Sequence, residues 1–350
     1  MLNEQELYRV EQLPIFQNRM YDSAQEARSC PRGNVRLVQD LATGLVSNAD
    51  FCPELMVYDA RYQNEQAVSP QFRDHLGSVA KIVERTIGRS GLVEVGCGKG
   101  YFVEALSESG FDITGFDSAY EGSNPRIKRH HFEPGVGMTA QALILRHVLE
   151  HIQNPQQFLQ GLRTANEGSG LIYIEVPCFD WICEHRAWFD IFYEHANYFR
   201  LADFGRMFDR VIESGRIFGG QYLYVVADLA SLKPARADAC DRVSFPDDFL
   251  GDLGDVEQPE RSAVWGGASK GVIFTLLRER INRPIELVID INPAKQGKYL
   301  PATGLKVLSP EEGLAMLPAG STIYVMNSNY LQEIKQMSSN AYRYVCVDHD

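Results

Sequence analysis

Apolar positions change their period several times along the chain. Over residues 1–85 they form short runs broken by Pro, Gly and Asn. VRLVQDLATGLVS reads as two short strands about a turn at Thr43-Gly44. Phe72, Leu76, Val79, Ile82 and Val83 then recur at helical spacing and predict a helix over 71–88. From Gly91 strands and helices alternate. LVEV is a strand, YFVEALSES a helix ended by Gly110, DITGFD a strand and ALILRHV another. Asn154 and Pro155 open a helix over 155–164, and Leu171 to Val176 is a strand closed by Pro177. Such alternation predicts a parallel sheet covered on both faces. QYLYVVA at 221–227 adds a late strand, while 230–259, rich in Ala, Asp and Pro, reads as a helix or linker. A second alternating pattern follows: AVW, the turn GGASKG, the helix VIFTLLRERI, the strand ELVID, a helix near 310–317, the strand TIYVMN, a helix near 330–337 and the strand YVCVD. The fold class expected is α/β, with a central doubly wound unit and a smaller one behind it.

Composition narrows the function classes. The chain has 350 residues, 45% hydrophobic and 23% charged, enough for two domains. Its net charge is −12, from 34 basic and 46 acidic residues. An acidic chain is a poor binder of nucleic acid or anionic membranes, which demand many Lys and Arg contacts. No apolar run approaches 18 residues and the first twenty do not resemble a signal peptide, so a cytoplasmic protein is expected. The cysteines at 30, 52, 97, 178, 183, 240 and 346 show no ligand or disulfide spacing; free thiols are expected.

Chemistry enters at the loop after LVEV. Glycines at 96, 98 and 100 sit between strand and helix, where backbone can approach a ligand. A dinucleotide fingerprint is G-x-G-x-x-G; here the spacing is G-x-G-x-G, with Glu94 two residues before it. Asp117 ends the next strand, placed to accept from the hydroxyls of a ribose. Glu94 could attract an ammonium. A ligand with a ribose, an ammonium and no phosphate is S-adenosylmethionine.

The segments EVGCGKGYFVEAL, GFD and LRHVLEHI resemble those of class I S-adenosylmethionine-dependent methyltransferases. YEHANYF resembles the signature of bacterial sugar C-methyltransferases, and WGGASKG with DINPAKQGKYLPATG resembles their C-terminal domain. The resemblance spans roughly 55–335. It implies a small N-terminal module (1–70), a central Rossmann-like methyltransferase domain (71–229) with an aromatic lid at 179–199, and a C-terminal Rossmann-like domain (230–350). It implies methylation of a small molecule, a nucleotide-linked 4-keto-deoxysugar, on carbon through an enolate. The sequence departs from the family in two places. The N-terminal module there carries four zinc cysteines; here only Cys30 and Cys52 fall in that region, so no metal is expected. The acceptor signature there begins with Tyr; here that position is Phe192, beside Tyr193.

On these grounds His195 is the expected base, paired with Glu194, with Tyr62 and Tyr193 as further catalytic candidates. Glu94, Gly96, Cys97, Gly98, Gly100, Asp117, Ser118, Arg146 and His147 are expected around the cofactor, with Ser69 covering it. Tyr58, Trp181, Trp188, Phe192 and Lys270 are expected to meet the substrate, the aromatics by excluding water. Glu150 and His151 read as braces, and His130 and His131 carry no assigned role. The second loop, Gly266 to Gly271 with Asp290 after it, fits G-x-A-x-x-G. It reads as an idle relic or a seat for substrate phosphate with Lys270, Lys295 or Lys298, ahead of a dinucleotide site. Transfer to oxygen or nitrogen, an NAD-dependent oxidoreductase and a non-catalytic scaffold are the competing functions.

Overall fold

Long mixed-polarity strands come first. The computed structural model describes residues 3–59, 61–63, 65–238, 242–253 and 261–348. Strand β1 (Glu4–Pro14), helix α1 (Ala24–Arg28) and strands β2 (Arg32–Asp40) and β3 (Val46–Asn48) precede helix α2 (Pro70–Thr86). Strands β1, β2 and β3 pair antiparallel. The β2–β3 turn falls where Thr43-Gly44 places it, and Asp40 Oδ1 holds it by accepting from the amides of Ala42 and Thr43. Strand β1 was not expected: its polar and apolar residues alternate irregularly, with register shifts at Glu6/Tyr8 and Val10/Leu13.

The central unit follows the expected alternation closely. Its elements are β4 (Leu92–Val95), α3 (Tyr101–Glu108), β5 (Ile113–Phe116), β6 (Ile127–Lys128), β7 (Ala142–Arg146), α4 (Pro155–Ala165) and β8 (Leu171–Pro177). After them come α5 (Phe179–Glu184), β9 (Asn197–Tyr198), α6 (Leu201–Met207), β10 (Val211–Ile217) and β11 (Tyr222–Asp228). Among the described residues the sheet order is β10-β11-β8-β7-β4-β5-β6. Strands β4 to β8 run parallel, and β4 is buried along its whole length, as a strand covered on both faces must be. Ser69 and Asn154 cap α2 and α4 by accepting from the amides of Phe72 and Gln157, each with Pro at the first helical position. The 221–227 strand runs antiparallel to β8, and an unforeseen edge strand, β10, pairs beyond it. VIESGRI shows only alternate half-exposure, too weak a pattern to announce itself.

The third sheet is parallel throughout, in the order β14-β13-β12-β15-β16. It contains β12 (Ser262–Trp265), α7 (Ser269–Arg280), β13 (Leu287–Ile289), β14 (Val307–Leu308), α8 (Pro310–Met316), β15 (Thr322–Val325), α9 (Leu331–Met337) and β16 (Arg343–Cys346). Between it and the central sheet, the described part of 230–259 holds no helix beyond the short turns Leu229–Ser231 and Gly251–Leu253. Residues 239–241 and 254–260 of that expected linker lie outside the described residues.

One pairing carries the site. Strand β9 leaves the central unit and pairs antiparallel with β3, Val46 facing Tyr198 and Ser47 facing Asn197. The first sheet thereby grips YEHANYF and fixes where its side chains point.

Candidate active site

The first glycine loop is shaped by contact, not by glycine alone. Gly96, Gly98 and Gly100 all have positive φ. A Cβ at Gly96 would lie 2.6 Å from Val148 Cγ2, whereas the corresponding point at Gly98 meets nothing within 4 Å. The loop is therefore closed on its protein side and open on the other. Glu94 is buried, its Oε1 3.7 Å from Arg146, and its Oε2 has no hydrogen-bond partner among the described residues. Burial raises its pKa to about 7, against the pull of Arg146. Asp117 accepts from the amides of Gly98 and Ala119, both at 2.8 Å, and a carboxylate keeps further lone pairs. Ser118 beside it is exposed. Two expectations change here. Cys97 turns its sulfur onto Gly115 of β5, so only its backbone remains for a ligand. Arg146 is drawn inward between Glu94 and Glu175 and over Phe102; like the glycine loop, Glu94 and Asp117, it is not among the residues that line the neighbouring cleft.

Beside the loop lies a cleft of about 270 Å³. One wall comes from the carboxyl ends of β7 and β8 and from the segment 192–195; the other is the second glycine loop with Asp290 and Lys295. Tyr62, Ser69, His147, Phe192, Glu194 and His195 all reach it. His147 has φ +52, unusual for a residue with a side chain. Its ring nitrogens lie 3.3 Å from Glu150 and from Glu175, which outweigh burial and raise its pKa to about 9.

His195 is 7% exposed, edge-on to Phe192 at 4.9 Å and to His151 at 5.1 Å. Its Nδ1 is buried without a partner. Burial, and then the repulsion a charged ring would meet beside the imidazoles of His151 and His147, hold its pKa well below the usual histidine value. The expected Glu194–His195 pair is not formed. Glu194 lies in a turn with Tyr193 and instead accepts from the Gln17 amide at 2.6 Å and the Tyr62 hydroxyl at 2.8 Å. Burial raises its pKa.

Tyr193 is corrected more sharply. Its ring covers Gly33, where any Cβ would strike it, stacks on Phe51 at 5.8 Å, and accepts from the Cys52 amide at 3.0 Å. It belongs to the core of the first sheet and faces away from the cleft. Trp188 is likewise core, stacked on Phe274 of α7 at 5.5 Å; Trp181 packs on His185 and beneath Lys270. Neither lines the cleft, because α7 covers the segment that was expected to be a lid. Tyr58 stands edge-on behind Tyr62 and Phe16, outside the lining.

Lys270 does reach the cleft, 3.1 Å from Asp190 and 2.8 Å from Gln221 Oε1. Asp290 accepts from the Gly267 and Asn292 amides, with Lys295 at 3.5 Å. Ser69, besides capping α2, donates to Glu333 across the cleft at 2.7 Å. Lys298 pairs with Asp22 and lies outside the lining, as do His130 and His131. Asp190, Gln17 and Asn18 were not foreseen; only a fold that brings three sheets together places them here.

A family model described as a methyltransferase domain matches residues 71–211. Residues 71–211 carry a methyltransferase domain, and the chain is an S-adenosylmethionine-dependent methyltransferase. Its cofactor is S-adenosylmethionine, and the first loop fits that molecule: Glu94 Oε2 is a buried acceptor awaiting a donor, and the open side at Gly98 admits a ligand. The methyltransferase is 24% identical over 317 residues to C-methyltransferase NovU of Streptomyces niveus, covering 76% of this chain and 75% of that protein. Solved structures similar to it include the plantazolicin methyltransferase BpumL in complex with SAH, 15% identical over 47% of this chain and 86% of that one, TM-score 0.36. Another is the 1,6-didemethyltoxoflavin-N1-methyltransferase of Burkholderia thailandensis, 13% identical over 53% and 95%, TM-score 0.35. Among the described residues no helix is long and apolar enough to cross a membrane.

Proposed function

We propose that the methyltransferase methylates carbon on a keto sugar carried by a nucleotide. The observation that carries this reading is His195: a buried imidazole, unpartnered at Nδ1, on the cleft wall. Carbon becomes nucleophilic only after a proton leaves the position next to a carbonyl. A neutral histidine held among aromatics and bonded to no carboxylate suits that task. His195 takes the proton, and the electron pair passes into the carbonyl to give an enolate. Bound S-adenosylmethionine supplies an electrophilic methyl group on a sulfonium. Glu94 receives the cofactor ammonium, the backbone of Gly96 to Gly100 approaches its chain, and Asp117 with Ser118 meets the ribose. Tyr62 donates to Glu194, so its oxygen is left to accept from an acceptor hydroxyl. Phe192 shields the base from water. The nucleotide lies along the second loop, where its phosphates replace Asp190 and Asp290 as partners of Lys270 and Lys295. The relative named a C-methyltransferase supports transfer to carbon.

The test is exchange without transfer. With S-adenosylhomocysteine bound and nucleotide-linked 4-keto sugars in deuterated water, wild type incorporates deuterium next to the carbonyl and His195→Ala does not. With S-adenosylmethionine the product gains about 14 Da, one CH₂ in place of hydrogen. Methyl transfer without exchange overturns the enolate route and favours oxygen or nitrogen as the acceptor atom.

A further inference from the structure

Glu150 and His151 sit in the single turn Leu149–His151 at the end of β7, and His195 faces them from the segment before β9. One donor atom from each lies within 4.8 Å of the others, all three residues lining the cleft. The hydrogen bonds around them leave donor capacity pointed inward. His151 Nδ1 lies 2.9 Å from the Glu194 carbonyl, which can only accept. The ring therefore carries its hydrogen on Nδ1 and presents the Nε2 lone pair. Glu150 gives Oε1 to His147 at 3.3 Å, while Oε2 is buried with no partner among the described residues. His195 Nδ1 is buried and unpartnered as well. Buried polar atoms without a partner are uncommon in folded proteins unless water or an ion satisfies them.

We propose that Glu150, His151 and His195 bind a divalent first-row transition-metal ion. Two imidazoles and one carboxylate make a donor set for zinc, cobalt, manganese or iron, with the remaining coordination positions open to the cleft. A histidine ligand with its second nitrogen on a backbone carbonyl is the usual outer support of such sites. Donors about 2.0–2.2 Å from one ion stand about 3–3.5 Å apart, so binding draws the three together. The surroundings favour a cation: Glu65, Glu150, Glu194 and Glu333 line the cleft in addition to Asp190 and Asp290, which pair with its two lysines. The imidazole of His147, between Glu150 and Glu175, is the one nearby group that opposes it. The cysteines have no part in this site.

The ion would also govern the chemistry, and this consequence rests on the reading of His195 as base. A neutral imidazole that binds a metal through one nitrogen carries hydrogen on the other. It has no lone pair left for a proton, so the ion inhibits enolisation.

The experiment uses the full chain, stripped with chelator and titrated with Co²⁺ by calorimetry and visible absorption. One Co²⁺ per chain with ligand-field bands, displaced by Zn²⁺, is expected. His151→Ala and Glu150→Gln are each expected to weaken binding by about 10-fold or more, with thermal melting reporting that each variant is folded. No saturable Co²⁺ binding to wild type, or undiminished binding in both folded variants, overturns the site. Zn²⁺ at saturation is expected to abolish deuterium exchange; full exchange with Zn²⁺ bound overturns the inhibitory consequence. Failure of exchange in the metal-free enzyme overturns His195 as base and leaves the cobalt spectrum untouched.

Discussion

Glu94 was legible as a single residue because its spacing from the glycines has a chemical reason. Its state was not, since that depends on a wall of apolar neighbours contributed by distant strands. Burial raises its pKa from the ordinary glutamate value to about 7. The free protein thus holds the carboxyl neutral below that pH and pays for ionising it above. A raised carboxyl makes folding more favourable at low pH, and that advantage is lost between about pH 4.5 and 7. On the role proposed for Glu94, binding runs the other way, because an ammonium is held by the ionised form. Affinity for S-adenosylmethionine should therefore rise several-fold from pH 5.5 to 7.5, measured by calorimetry. Glu94→Gln should bind about 10-fold more weakly and lose that pH dependence; an unchanged slope in the variant would assign the titration elsewhere. The neighbouring expectation that Glu194 orients His195 failed for a local reason. Tyr193 and Glu194 form a turn, and the carboxylate is held there by the Gln17 amide and the Tyr62 hydroxyl. Tyr62→Phe, which removes that hydroxyl, should raise the acceptor KM and leave cofactor affinity unchanged; a loss of cofactor affinity would contradict its place on the acceptor side.

The amphipathic helices α2 and α4 were readable nearly to their ends from their periodicity, and α7 with the strands β4, β7 and β8 from continuous apolar runs. Strands β1 and β10 were hidden because edge position leaves their residues half exposed, and no amphipathic signal survives. The short β9 was equally hidden, since two residues pair only because β3 is already in place. That pairing makes the first sheet a clamp on the segment bearing Glu194 and His195. Gly33 is its weak point, as the Tyr193 ring occupies the space a side chain would need. Gly33→Val should destabilise the protein by about 1–3 kcal/mol, the usual cost of overpacking. It should also lower kcat far more than it weakens S-adenosylmethionine binding, because the cofactor loop stands on a different sheet. Equal losses in both would mean that the clamp merely supports the fold.

At the scale of the whole molecule, the alternation that builds the central and third sheets could be read from the sequence, but the cleft could not. It exists only where the first and third sheets close on the carboxyl ends of the central one, joined by side chains far apart in sequence. Ser69 meets Glu333, Asn18 meets Ser269, and Gln221 meets Asn327 and Asp348. The ion pair of Lys270 and Asp190 is a further link of this kind, with side-chain exposures of 14% and 7%. Burial raises the Asp190 pKa, opposed by the lysine beside it. Lys270→Met leaves that carboxylate without its cation and should cost about 3 kcal/mol, whereas Lys270→Met with Asp190→Leu should recover most of the loss. Recovery separates two roles for one lysine. If Lys270 only holds the sheets together, the double variant regains activity along with its melting temperature. If it also receives the phosphates of the acceptor, the double variant melts like wild type yet keeps a raised acceptor KM, with S-adenosylmethionine affinity unaltered. A double variant restored in both stability and KM would remove the second loop from the acceptor site and leave it as packing between sheets.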